Sequence, residues 1–94
     1  MLGAPSAFKT DANGLEIVSQ FKSMIEGHSG VSYSFFEPIH YTTQLVSGTN
    51  YQAKVRVGEE EFIDFKVYQP LPGGADASVS GFKAGVTLDS AFTF

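Results

Sequence analysis

The chain has one segment of helical period, and that fact limits its architecture more than any other. From Asn13 onward Leu15, Val18, Phe21 and Ile25 recur at spacings of three and four, with Met24 beside them; no later stretch repeats the pattern. A single amphipathic helix has one apolar stripe to bury, so its cover must come from sheet. Asn13 followed by Glu16 is spaced for a capping box, in which each side chain accepts a hydrogen bond from an otherwise unpaired backbone N–H. Gly27 and then Gly30 supply the stop. The pattern predicts one helix over residues 13–28.

After Val31 the period falls to two. Tyr33, Phe35, Ile39, Tyr41 and Leu45 share one parity; Tyr51, Ala53, Val55 and Val57 repeat it, with Gln52, Lys54 and Arg56 facing the other way. Ile63, Phe65 and Val67 alternate with Asp64 and Lys66, and a last strand is expected within residues 82–94. Pro38 marks a bulge or an edge position, because its nitrogen cannot donate to a ladder. The expected class is α+β: one N-terminal helix, then a meander of four to five antiparallel strands, one face on the helix and one face wet. At 94 residues the chain is read as a single domain, 1–94. Residues 1–8, which include Gly3 and Pro5 and show no period, are read as a flexible arm.

Composition removes several function classes. Nine Phe and four Tyr supply the core, and a 43% hydrophobic content argues against disorder. A soluble protein is expected, since no apolar run approaches the roughly 20 residues that span a bilayer. The net charge is −4, and the six Lys and Arg are spread along the chain, which does not suit a phosphate-backbone binder. With zero Cys there is no disulfide framework, thiolate nucleophile or cysteine zinc site, which fits an intracellular, cytoplasmic setting. His28 and His40 have no nucleophile elbow or metal-ligand spacing around them, so neither catalysis nor a cofactor is expected.

Strand parity constrains the hairpins. A two-residue Ser47-Gly48 turn would place Tyr41 opposite Lys54 and Ile39 opposite Arg56, mixing apolar and charged residues on one face. A connection of odd length restores agreement, for example Leu45 opposite Tyr51 and Tyr41 opposite Val55. That register leaves residues 46–50 as a projecting tip with Val46 exposed at its apex and Gly48 free to take a positive φ. A second connection runs from Tyr68 to Gly74, where Pro70 and Pro72 stiffen the backbone around Leu71. In a meander these two connections share one end of the sheet, and Glu59-Glu60-Glu61 forms a solvated turn at the other. Pattern alone favours the plainer alternative for each: an ordinary surface hairpin with one stray valine, and a strand-ending loop.

These residues resemble the cystatin superfamily and most closely its stefin branch, the type 1 cystatins. Gln44-Leu45-Val46-Ser47-Gly48 is similar to that family's Gln-Val-Val-Ala-Gly hairpin, and the stretch from Thr49 through Tyr51 to Gly58 also runs like a stefin. Leu71-Pro72 stands where stefins carry a Leu-Pro second hairpin, and Gly3-Ala4-Pro5-Ser6 resembles their N-terminal trunk. Leu45 and Ser47 depart from the family's usual valine and alanine, and Gly73-Gly74 from its usual polar residues. The arm is short, with Met1 and Leu2 ahead of Gly3. Lack of Trp and of disulfides separates the chain from the secreted cystatins.

The resemblance implies a cystatin-like fold and a reversible, tight-binding competitive inhibitor of papain-like cysteine proteases of the cathepsin type. The arm and two hairpins would fill the cleft on both sides of the catalytic cysteine without offering a scissile bond. Leu2 would enter a non-primed pocket, Gly3 would pass the catalytic residues, and Val46, Leu71 and Pro72 would pack on the primed side, with Gln44, Leu45, Ser47 and Gly48 completing the first hairpin. The implied inhibitor is a monomer, with a domain-swapped dimer as an accessible form. The rival reading is a β-edge interaction or self-assembling module without inhibitory activity.

Overall fold

In a computed structural model describing residues 7–71 and 76–94, a bent helix lies across one face of a four-stranded antiparallel sheet. Leu2, Gly3 and Pro72 lie outside the described residues. The helix comprises α1 (Ala12–Gln20) and α2 (Lys22–Ser29). They meet at Phe21, whose N–H donates to the Val18 carbonyl at 3.0 Å, a tightened turn. Two residues earlier the Ser19 hydroxyl donates back to the Glu16 carbonyl at 2.6 Å, a bond that bends helices. The bend keeps Val18, Phe21 and Ile25 in the core, with Leu15 and Met24 partly buried beside them. Gly30 ends the helix in the left-handed region at φ 76°, as expected of the stop.

The start differs from expectation. Asp11, not Asn13, caps the helix: its carboxylate accepts the Gly14 N–H at 2.9 Å and also the Tyr41 hydroxyl. The second bond spans thirty residues, so no local pattern reveals it. It joins the helix start to the sheet. The Tyr41 hydroxyl, followed by the Gly14 amide, holds the Asp11 carboxyl below its usual range. Burial, with Asp11 beside it, pushes Tyr41 up to about 12.

The strands are β1 (Glu37–Val46), β2 (Gly48–Arg56), β3 (Phe62–Pro70) and β4 (Ser78–Val86), in the spatial order of a meander. Their inner face carries Tyr41, Ala53, Val55, Ile63, Phe65 and Val67, buried with Tyr33 against the helix. Phe21 meets Tyr51 and Phe65 edge-on, at 5.5 and 6.4 Å between centroids. The bulge expected at Pro38 is present between Pro38 and His40. Beyond β1, the Lys9 N–H donates to the Tyr41 carbonyl at 2.8 Å and its carbonyl accepts the Tyr41 N–H at 3.1 Å, an isolated bridge on the sheet's edge.

The outer face is covered at its centre, where the sequence reading has it wet. The last strand ends at Val86, and the segment after it returns over that face, Thr87, Ser90 and Phe92 meeting Lys54 on β2 and Thr93 and Phe94 meeting β4. Lys54 is 0% exposed and Asp64 1%. Their Nζ and Oδ1 atoms are 2.9 Å apart, and Lys54 also donates to the Thr87 carbonyl at 2.6 Å and to Ser90 Oγ at 3.1 Å. Burial raises the Asp64 carboxyl above its ordinary range in spite of the lysine. Lys83 donates to the Thr93 hydroxyl, and the Phe94 ring lies so near Gly81 that a Cβ there would be 2.6 Å from it. His40 borders this row, opposite Lys54.

Three outcomes follow. A Cβ on Gly14 would overlap the Tyr41 ring and hydroxyl. Alanine gains up to about 1 kcal/mol of helix propensity over glycine, but forcing a packed ring aside costs about 1–3 kcal/mol. Gly14→Ala should therefore lower the urea midpoint, and a midpoint equal to or above wild type contradicts this packing. Lys54→Met strands a buried carboxylate and should cost about 3–5 kcal/mol, whereas Lys54→Met with Asp64→Leu should recover most of the loss in the same denaturation assay. Finally, burial and then the Lys54 charge hold the His40 imidazole below its ordinary 6.5, against a smaller opposing pull from Asp64. As pH falls through 6.5 the unfolded chain takes up this proton before the folded chain does, so stability declines from there downward. Thermal melts from about pH 7.5 to about pH 5 should show a smaller decline for His40→Phe, which keeps a ring at this position.

Candidate functional site

At the end of the sheet remote from the Glu59-Glu60-Glu61 turn, the strands extend beyond the helix. Thr43 opposite Tyr51 is the last inward-facing pair in contact with helix residues through Tyr51; the next such pair is Leu45 opposite Thr49. Leu45, on that face, is 67% exposed. The predicted odd connection is present but shorter: Ser47 alone separates Val46 from Gly48. The register is displaced two residues from the expected one, with Leu45 opposite Thr49 and Tyr41 opposite Ala53. Residues 48–50 therefore belong to β2 and not to a free tip, and the exposed apolar residue is Leu45. Val46, expected at the apex, is half-buried.

Gly48 makes this tight turn possible. Its φ of 122° lies in a region that side chains disfavour, and the neighbouring strand approaches it closely. A Cβ there would strike the Gln69 carbonyl oxygen and lie 2.9 Å from Pro70 Cα. The ladder pairs Gly48 with Pro70 and Thr49 with Gln69, and the Tyr68 hydroxyl donates to the Ser47 carbonyl across the strands. The first hairpin is thus fastened to the end of β3. Leu71, the next residue, is 62% exposed.

The structure brings together Gln44, Leu45, Val46, Ser47, Gly48 and Leu71 from the residues singled out in the sequence. It adds Tyr68 and Gln69, which hold the turn. The alternation of β3 offers no signal for that role, since it depends on the cross-strand position of Ser47. No Asp, Glu, Lys, Arg or His occurs from Tyr41 to Ala53 or from Val67 to Ala75. By contrast the opposite end carries Glu37, Arg56 and the three glutamates, with Arg56 Nη1 3.5 Å from Glu37 Oε1. The second connection carries one charge, at Asp76, whereas the first hairpin, uncharged and with Leu45 exposed, can enter an apolar cleft without desolvating a charge of its own. Among the described residues no group of three or more His, Asp or Glu is placed to hold a metal ion, and no helix is long and apolar enough to cross a membrane.

Comparison with known proteins agrees with this geometry. Residues 5–87 match the family model described as the cystatin domain. The chain is 35% identical to cystatin-A of Homo sapiens over 79 residues, covering 83% of this chain and 81% of that protein. It is 40% identical to cystatin-B of Pan troglodytes and 38% identical to cystatin-B of Homo sapiens, each over 73 residues, 77% of this chain and 74% of the relative. With the helix-on-meander fold and the fastened first hairpin, these matches show that the chain belongs to the cystatin family of cysteine protease inhibitors, in its stefin branch.

Proposed function

We propose that this chain is a reversible, tight-binding competitive inhibitor of papain-like cysteine proteases of the cathepsin type. The observation that carries the reading is the end of the sheet where the uncharged β1–β2 turn and the end of β3 are fastened together with Leu45 and Leu71 exposed. The hairpins enter the cleft on the primed side, with Val46, Leu71 and Pro72 in apolar contact and Leu45 adding the largest exposed surface of the first hairpin. Leu2 fills a non-primed pocket and Gly3 lets the backbone pass the catalytic cysteine. No peptide bond is offered in a reactive position, so inhibition is steric.

Cross-strand bonding at Ser47, Gly48 and Thr49 holds the first hairpin in shape before binding. A surface that is already ordered loses little conformational entropy on association, which lets an interface of ordinary size bind tightly. We assign the activity to the monomer, as a single domain over residues 1–94 in the cytoplasm, and to no catalytic role. A domain-swapped dimer would open the turn at Ser47 into continuous strand and lose the wedge. The edge-pairing alternative is not favoured by the family relationship.

Titration of papain with the purified monomer should give stoichiometric inhibition, and absence of inhibition at micromolar concentration overturns the reading. Leu45→Ala and Leu71→Ala should each weaken inhibition about tenfold or more, since a buried leucine is worth about 1.5–3 kcal/mol. Gly48→Ala should weaken it by at least a similar factor, with the urea midpoint showing whether the body remains folded. Deleting residues 1–3 should act mainly on the dissociation rate.

A further inference from the structure

Phe8 is 60% exposed and belongs to no part of the core, yet it has defined ring partners. It stacks on His40 with centroids 4.3 Å apart and planes 16° from parallel, and Phe92 meets it edge-on at 5.8 Å. Phe92 also meets His40 edge-on at 5.8 Å, which closes a three-ring cluster on the outer face of the sheet. Phe92 comes from the segment after β4. That segment is held by the buried Lys54 ammonium through Thr87 and Ser90, and the same ammonium lies 5.9 Å from the Phe92 centroid. The Ser90 hydroxyl also accepts the Thr87 N–H at 3.2 Å, so the segment is bonded within itself. Residues 88–94 lie beyond the span that matches the family model.

We propose that Phe92 is a positioning residue for the N-terminal arm, acting through the ring of Phe8; this rests on the inhibitory reading above. Lys9 fixes the backbone to the edge of β1, and the stack of Phe8 on His40 and Phe92 fixes the direction in which the chain leaves that edge. Gly3 is five residues further on, a reach of at most about 18 Å. A change of direction at residue 8 therefore displaces the arm by ångströms where it meets the protease. The C-terminal segment thereby sets where the arm is presented without needing to touch the protease itself.

Phe92→Ala and Phe92→Tyr are to be made in the full chain and in a chain lacking residues 1–3, and dissociation from papain measured for each. In the full chain Phe92→Ala should speed dissociation about three- to tenfold, the range of one aromatic pair, and Phe92→Tyr should remain within about twofold of wild type. In the shortened chain Phe92→Ala should have less than about a twofold effect, because the part it positions is gone. Equal effects in both chains mean that residue 92 touches the protease or loosens the whole body, and overturn the proposal. A protease-free readout accompanies this: the heteronuclear NOE of the Ala7 and Phe8 amides should fall in Phe92→Ala while those of Val55 and Phe65 do not. Unchanged values at residues 7 and 8 overturn it as well. If the wild-type chain fails to inhibit papain, the inhibitory reading falls, and the NOE still decides whether Phe92 orders residues 7 and 8.

Discussion

Three elements with different tasks meet on the side chain and backbone of Tyr41. Its ring packs on Gly14 at the helix start, its hydroxyl donates to the carboxylate that caps that helix, and its backbone pairs with Lys9 as well as with β2. A buried tyrosine hydroxyl is costly unless bonded, and here it is bonded to an ionised partner, which strengthens the contact. The helix, the edge strand and the root of the arm are consequently placed by one residue. Because the helix begins beside Tyr41, β1 and β2 extend past it for several residues at about 3.3 Å each, and that extension is the exposed end carrying Leu45.

The outer face is organised by charge where the inner face is organised by apolar area. His40, Lys54, Asp64 and Lys83 form a cross-strand row in the ladder, and the C-terminal segment covers its centre. A buried ion pair contributes little net stability, because desolvation offsets the attraction. What Lys54 supplies is direction. Its remaining donors select the Thr87 carbonyl and the Ser90 hydroxyl, so residues 87–94 have one place to lie. Generic apolar cover would leave that segment free to slide.

Much of this was legible in the sequence, and what was not has identifiable causes. The single helix, the meander, the odd first hairpin and the shared end of the two connections follow from period and parity, and the bulge at Pro38 from a nitrogen that cannot donate. The cap was misplaced because Asp11 is selected by Tyr41, a partner far along the chain. The hairpin register was displaced by two because parity distinguishes odd from even but not one odd length from another. The shorter turn depends on Gly48 tolerating both a positive φ and the close approach of β3. Lys54 and Asp64 alternate as surface residues do, and nothing in their own strands announces the segment that buries them.

The correction from Val46 to Leu45 bears on how the hairpin meets a cleft. In the expected register Leu45 would have been a core residue and Val46 a lone apolar tip, offering a small contact on a flexible loop. In the observed register the ladder runs to the turn itself, Val46 is half-covered, and Leu45 stands on a paired strand, with β2 between it and the end of β3 that leads to Leu71. Beneath an apolar side chain on a paired strand the backbone has lost its conformational freedom before binding, so more of the side chain's burial energy remains for association. The departures of Leu45 and Ser47 from the family's usual residues are therefore of different kinds. Ser47 contributes its backbone carbonyl to Tyr68, a role that most residues can fill. Leu45 presents a longer side chain than valine on the exposed inner face, so under the proposed inhibitory reading protease preference is the property that this position would alter.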